Sequence, residues 1–206
     1  MPDYFALFDE PRQPWLEAES LQQKFIERSA TVHPDRVHTA SEEEKLVATQ
    51  RYAELNAAHA CLRESKNRLL HLIELETGAK PADIQRIPPG TMDLFVEVGQ
   101  LCQGIDQFIA ERSGVTAPML KVQMFQRGME WLDRLNALQQ RIAEKRAAVE
   151  LELQSLNAVW QSAPPPDDPR RATVLPLERL EQLYRLMSFI TRWTQQLQER
   201  AVQVTL

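Results

Sequence analysis

The sequence has little cysteine, little glycine and no long apolar run. Its 206 residues include two cysteines and six glycines. Two cysteines, Cys61 and Cys102, cannot form a disulfide scaffold, and their spacing matches no metal-binding motif. Few glycines and scarce β-branched alternation disfavour a parallel-sheet nucleotide fold. No apolar stretch approaches the ~18 residues of a membrane span, and Met1-Pro2-Asp3-Tyr4 lacks a signal pattern. We therefore expect a cytoplasmic protein that does not bind membranes.

The chain also lacks a basic excess and a recognisable catalytic set. It has 24 lysines and arginines against 29 aspartates and glutamates, a net charge of −5. Non-specific nucleic-acid binding needs a basic face, so we expect no nucleic-acid partner. The four histidines and two cysteines give no familiar set of metal ligands. No nucleophile–base pair or glycine-rich phosphate loop is visible. We expect neither an enzyme nor a bound cofactor.

Apolar residues recur along most of the chain at steps of three, four and seven, which predicts an all-α protein. Asp3 can cap a brief first helix, and Ser41 with Glu44 forms the sequence pattern of a capping box. The longer helices are predicted at about 16–32, 41–63, 66–76, 91–112, 118–161 and from 176 onwards.

Proline and glycine divide this pattern into two domains. The breaks at Gly78 and at Gly90 predict a first domain at 1–78, a linker at 79–90 and a second domain at 91–206. The second domain contains a Pro-rich loop at 163–176, of which 163–171 is expected to be a solvated linker. Its long apolar seams predict an antiparallel three-helix bundle. Homodimerisation through the same seams is the alternative, so we expect a monomer or a weak dimer.

The tripeptide His33-Pro34-Asp35 lies between two predicted helices. By itself such a tripeptide is only a turn, in which proline fixes φ and aspartate caps the next helix. Here it is embedded in a wider pattern: Asp3-Tyr4-Phe5-x-Leu7, Leu21-x-x-x-Phe25 and Leu55-Asn56-x-Ala58-x-x-x-Leu62. The combination resembles a J domain, over about residues 3–70.

J domains engage DnaK-type (seventy-kilodalton heat-shock) chaperones. The resemblance implies that His33, Pro34 and Asp35 dock on such a chaperone and couple docking to its ATP hydrolysis. An ionised aspartate can form a charge-assisted contact with an arginine of the partner. Basic residues that could assist are Lys24, Arg28 and Arg36. J domains commonly carry more lysines and arginines than this on the helix before the tripeptide.

A J domain joined directly to a small three-helix domain is similar to the iron–sulfur cluster co-chaperones (HscB-like). The junction from Arg68 to Gly78 resembles their Arg-Ala-x-Tyr-Leu-Leu-x-x-x-Gly connection. In that family the first helix of the second domain carries a hydrophobic and acidic patch that holds the cluster scaffold protein. The corresponding residues here are Met92, Leu94, Phe95, Glu97 and Val98. Core packing is the alternative for Phe95 and Val98, whereas Met92 and Leu94 lie off that stripe.

The sequence thus favours a co-chaperone that brings an iron–sulfur scaffold protein to a DnaK-type chaperone. Two alternatives stay open. The J domain can serve a different, unknown client, or the chain can be a structural homodimer whose J-like part is degenerate. The few basic residues before the tripeptide motivate the second alternative.

Overall fold

The computed structural model describes residues 2–33, 41–82 and 86–205, and all regular secondary structure within them is helical. This confirms the predicted all-α class. The eight helices are α1 (Tyr4–Leu7), α2 (Ala18–Val32), α3 (Glu42–Arg63), α4 (Ser65–Thr77), α5 (Met92–Ser113), α6 (Pro118–Ser162), α7 (Arg171–Val174) and α8 (Leu177–Thr205).

Local signals explain where several helices begin and end. The Asp3 carboxylate accepts hydrogen bonds from the backbone N–H groups of Phe5 and Ala6 at the start of α1. At α3, the Glu44 N–H donates to Ser41 Oγ (3.3 Å) and the Ser41 N–H donates to Glu44 Oε2 (2.9 Å), which completes the capping box. Gly78 ends α4 with a left-handed φ of 73°, a conformation that glycine adopts at little cost.

The chain forms two compact units that differ from the predicted division. The first, here the N-terminal unit, contains Met1–Ala82 and Glu150–Tyr184; the second, here the bundle unit, contains Asp83–Val149 and Arg185–Leu206. Both α6 and α8 therefore contribute residues to each unit. The domain boundaries predicted from the sequence, at 1–78, 79–90 and 91–206, remain a prediction of which segments fold independently.

The N-terminal unit is built around a pair of antiparallel helices, α2 and α3. Ring contacts pair Phe25 with His59 and His33 with Tyr52, so that the helices run in opposite directions. α1 and α4 also pack against α3. The buried apolar side chains of this layer are Phe5, Phe8, Leu21, Leu55, Ala58, Leu62, Leu69, Leu72 and Ile73.

A buried arginine joins α4 to the segments around it. Arg68 is 3% exposed. Its guanidinium donates to the carbonyl oxygens of Pro14 (2.9 Å) and Leu62 (2.7 Å) and to Ser65 Oγ (3.0 Å). A carboxylate oxygen of Glu150 lies 3.9 Å from it. The hydrogen bonds and the opposite charge offset the cost of burying a cation.

Two further polar contacts attach distant segments within the same unit. The Asn157 side chain accepts from the Trp15 N–H (3.0 Å) and donates to the Trp15 carbonyl (2.9 Å). Arg171 forms a bidentate ion pair with Glu76, at 2.7 Å for each hydrogen bond, and both side chains are buried. The expectation that 163–171 is a solvated linker is therefore wrong at Arg171. Its partner lies 95 residues away in the sequence, so no local pattern could indicate the pair.

The bundle unit combines α5 with parts of α6 and α8. Ion pairs join Glu111 to Arg127 and Glu97 to Arg141, so α5 and α6 are antiparallel. The pair Asp106–Arg200, together with hydrogen bonds from Arg112 to the last turn of α8, makes α5 and α8 parallel. This is the up-down-up order predicted for a three-helix bundle. The bundle core includes Val98, Leu101, Cys102, Ile105, Phe108, Leu135, Leu138, Ile142, Ile190, Trp193 and Leu197.

Two glycines of α5 give a matched test of bundle packing. A Cβ atom built on Gly104 lies 2.6 Å from Cη2 of Trp131, whereas one built on Gly99 has nothing within 4 Å. We expect Gly104→Ala to lower the free energy of unfolding by about 1–3 kcal/mol, because the indole must move. Gly99→Ala should raise it by roughly 0.5–1 kcal/mol, because alanine favours the helix. Urea denaturation of both variants measures the difference, and equal stability would show that the close approach to Trp131 is unimportant.

Candidate functional site

Of the tripeptide His33-Pro34-Asp35, the structure describes His33, the residue that follows α2. Its backbone is extended, with φ −62° and ψ 131°, so the helix cannot continue. Its ring meets that of Tyr52 of α3 edge-on, with centroids 5.1 Å apart. The interhelix contact fixes the direction in which the imidazole points. The other residues predicted here, Pro34, Asp35 and Arg36, lie outside the described residues.

A shallow groove lies beside His33, between the end of α2 and the beginning of α3. Its volume is about 420 Å³, and its lining includes Val32, Val47, Glu44 and Arg51. Hydrogen bonds from Ser41 lower the pKa of Glu44, which keeps this carboxylate ionised. Sequence reasoning missed the contribution of α3. The signal was the spacing of 43, 47 and 51, which places three side chains on one helix face.

The two basic candidates of α2 are bound to a turn of their own chain. Lys24 Nζ donates to Glu10 Oε1 (2.5 Å) and to the Asp9 carbonyl (3.3 Å). Arg28 donates to the Leu7 carbonyl (2.5 Å) and to the Asp9 carboxylate. Asp9 and Glu10 therefore offset much of the charge that these cations could present to a partner.

Two buried histidines support the α2–α3 hairpin. The His59 ring stacks on Phe25 with centroids 4.2 Å apart, and its Nε2 has no hydrogen-bond partner among the described residues. His71 accepts a hydrogen bond from the Tyr4 N–H at Nε2 (3.1 Å). Burial lowers the pKa of both imidazoles, and the charge of Arg63 adds to the effect at His59. Both rings are therefore neutral in the folded protein near pH 7.

These histidines make the stability of the protein depend on pH. Their pKa values in the folded state lie below the ordinary value of 6.5, so the unfolded chain binds protons first as the pH falls. Their contribution is fully present above about pH 6.5 and is lost below it. We expect the midpoint of urea unfolding to decrease between pH 7.5 and 5.5, and to decrease less in His59→Phe, which keeps a stacking ring. Identical slopes for the two proteins would contradict this role for His59.

The predicted scaffold-binding residues divide into exposed and buried ones. Met92 is 54% exposed and Phe95 is 42% exposed, whereas Val98 is 2% exposed. Val98 faces the bundle core, so it cannot contact a partner directly, and the prediction that it belongs to the binding surface is wrong. Leu94 is half-buried. Phe95 lies on the surface and not in the core.

The charge expected in this patch is already paired. Glu97 accepts hydrogen bonds at both carboxylate oxygens from Arg141 Nη1, each at 2.6 Å. Sequence reasoning also missed Val96, which is exposed. Met92, Phe95 and Val96 share one helix face at the spacing i, i+3 and i+4. We call these three residues the α5 patch.

A metal site, a reactive thiol and a membrane span each require particular residues in the described part of the chain. No group of three or more histidines, cysteines, aspartates or glutamates could hold a metal ion there. Burial raises the pKa of the Cys61 thiol to about 11, which makes it unreactive near neutral pH. None of the helices in that part of the chain has the length and apolar character needed to span a membrane.

The described residues thus combine an antiparallel helical hairpin, whose first helix ends just before His33, with a three-helix bundle. Comparisons with known proteins find similarity to HscB co-chaperones, in sequence over part of this chain and in fold over nearly all of it. No family model matches it.

The sequence resemblance is limited to part of the chain. The chain is 36% identical over 74 residues to the co-chaperone protein HscB homolog of Vibrio cholerae serotype O1 (strain M66-2), which is 36% of this chain and 43% of the relative. It is 40% identical over 72 residues to the HscB homolog of Bordetella avium, which is 35% of this chain and 43% of that protein. The matched region thus spans less than half the length of these relatives.

The fold resemblance covers nearly the whole chain. The structure of chaperone HscB from Vibrio cholerae aligns with a TM-score of 0.64 at 20% identity, covering 98% of this chain and 99% of that one. Human co-chaperone protein HscB aligns with a TM-score of 0.59 at 15% identity, covering 98% and 81%. At sequence identities of 20% and 15%, these structural alignments show that the chain shares the fold of the two proteins.

Proposed function

We propose that this protein is a co-chaperone that brings an iron–sulfur cluster scaffold protein to a DnaK-type chaperone and stimulates the ATPase of that chaperone. The observation that carries the proposal is the combination, in one chain, of His-Pro-Asp after α2 with a bundle whose first helix bears an exposed apolar patch. The likeness to HscB in sequence and fold supports it. ATP is hydrolysed by the partner, and this chain acts through binding.

Docking on the chaperone rests on His33, Pro34 and Asp35. The Asp35 carboxylate provides a charged acceptor for an arginine of the partner. Proline limits the backbone conformations that must be ordered on docking. The contact with Tyr52 holds His33 beside the groove lined by Val32 and Val47, which adds apolar area to the contact.

The basic face contributes less to docking here than the tripeptide does. Lys24 and Arg28 are half-exposed, and each is bound to Asp9 or Glu10. A partner carboxylate must compete with these contacts, so the gain in free energy is small. Arg36 follows the tripeptide and is the remaining basic candidate. We therefore propose a brief, weak encounter, which suits a co-chaperone that must release the chaperone after hydrolysis.

Asp35→Asn should strongly reduce ATPase stimulation. Removing the charge from a charge-assisted contact costs about 1.5–3 kcal/mol, which corresponds to about a 10- to 150-fold loss in the stimulated rate at subsaturating co-chaperone. Single-turnover ATP hydrolysis by a DnaK-type chaperone measures this. Asp167→Asn makes the same chemical change in an exposed loop and should leave stimulation intact. Full stimulation by Asp35→Asn would rule out docking through the tripeptide.

The α5 patch is the proposed contact for the scaffold protein. Met92→Ala with Phe95→Ala should weaken scaffold binding about tenfold or more, because large apolar anchors dominate interface energies. Both side chains are exposed, so the fold should be preserved. The control is Leu151→Ala with Val174→Ala, which removes two exposed apolar side chains that lie outside both apolar surfaces of the bundle unit. Calorimetric titration with a cluster scaffold protein compares them.

Equal losses in the two double variants would remove the assignment to α5. ATPase stimulation without any binding of a scaffold protein would instead identify a co-chaperone with a different client. The two experiments are independent, because one measures the partner's ATPase and the other measures affinity for the client.

A further inference from the structure

A second apolar surface lies in the bundle unit, at the beginning of α6. Here Met124, Phe125 and Met129 line a groove of about 410 Å³, together with Val204 near the end of α8. Arg112, near the end of α5, also contributes to the lining. We call this the α6 groove. Arg112, which lines this groove, follows Met92 of the α5 patch by about 20 residues along α5. At about 1.5 Å per residue the two surfaces are about 30 Å apart.

The apolar side chains around this groove are unusually exposed. Met119 is 82% exposed and Phe125 is 70% exposed, and Val122 and Met129 are exposed as well. Val122, Phe125 and Met129 follow at steps of three and four, so they share one helix face. A contiguous apolar surface of this kind on a soluble helical unit marks an interaction site.

The groove is lined by two methionines and a glycine. Met124 and Met129 line it, and Met119 lies beside them at the beginning of α6. Unbranched methionine side chains adapt to different partner shapes. A Cβ on Gly128 would lie 3.6 Å from Phe108 and 3.7 Å from Val204, which is ordinary van der Waals contact with the core of the bundle. The adaptable part of the groove is therefore its methionine side chains.

The charge at the groove is positive. Its charged lining residues are Arg112 and Lys121, with no aspartate or glutamate among the lining side chains. Arg112 donates to the carbonyl oxygens of Gln203 and Val204, at 2.7 Å each. Lys121 is exposed and forms no ion pair with any described residue. A partner is therefore expected to carry acidic residues beside its apolar ones.

The backbone of the groove walls restricts the form of the partner. Apart from Val115 in the loop after α5, the lining residues belong to α5, α6 and α8, whose backbone groups are hydrogen-bonded internally. They offer no strand edge to an extended peptide. A helix satisfies its own backbone and can place apolar side chains in such a groove.

We propose that the α6 groove binds an acidic amphipathic helix of a partner protein. The apolar face of that helix contacts Met124, Phe125 and Met129, and its carboxylates pair with Lys121 at the rim. This interaction is separate from the α5 patch and does not depend on the function proposed for it.

The six methionines provide a direct test. The whole 206-residue chain, with ¹³C-labelled methionine methyl groups, is titrated with a synthetic peptide of about 18 residues that has leucine on one helix face and glutamate on the other. A second peptide replaces each glutamate with lysine. We expect the methyl signals of Met119, Met124 and Met129 to shift with the acidic peptide, whereas those of Met92 and Met187 stay unchanged. The basic peptide should bind at least about tenfold more weakly.

Charge reversal keeps the test independent of folding. Lys121→Glu should weaken binding of the acidic peptide about tenfold. Lys145→Glu makes the same change 24 positions further along α6 and should have little effect. Equal affinities for the two peptides, or equal effects of the two substitutions, would overturn the proposal. So would a dimer in sedimentation velocity that Phe125→Ser dissociates, because the groove would then bind a second copy of this chain.

Discussion

The N-terminal unit depends on the buried guanidinium of Arg68. Its donors reach the loop at Pro14, the last turn of α3 at Leu62 and the first residue of α4 at Ser65, while Glu150 of α6 supplies the opposite charge. A cation buried to this extent is stable only if hydrogen bonds and charge are both satisfied. Lysine could not replace it, because one ammonium lacks the planar fork that reaches several acceptors at once. The geometry of the α3–α4 junction follows from this requirement.

The junction in turn organises the hairpin that carries the tripeptide. With the positions of α3 and α4 fixed, His71 of α4 accepts a hydrogen bond from the backbone N–H of Tyr4 in α1. His59 of α3 stacks on Phe25 of α2. The contact of His71 needs a neutral imidazole, because its Nε2 accepts the hydrogen bond from Tyr4. The turn after α1 then presents Asp9 and Glu10 to α2, where they bind Arg28 and Lys24. The same packing that supports the proposed docking site thus reduces its basic character, which places more of the recognition on His33 and its neighbours.

In the bundle unit, the side chains that stabilise the fold differ from the exposed apolar side chains that are proposed to bind partners. Its ion pairs, such as Glu97–Arg141 and Asp106–Arg200, join neighbouring helices at the surface, where each contributes little to stability. The apolar core supplies most of the stabilising free energy. The apolar side chains left outside that core are concentrated at the first turns of α5 and of α6. These two surfaces present different chemistry, because Lys121 makes the groove at α6 cationic.

The sequence by itself determined the helices, the capping box at Ser41 and the resemblance to a J-domain co-chaperone, because periodicity, caps and short motifs are local properties of the chain. It did not determine which side chains of α5 face outward: Phe95 and Val98 are both apolar, and only packing against α6 and α8 exposes one and buries the other. Tertiary structure alone also decided that Arg171 is buried with Glu76 and that Lys24 and Arg28 are paired. The physical reason is that burial and ion pairing depend on partners far away in sequence, whose positions follow from the fold as a whole.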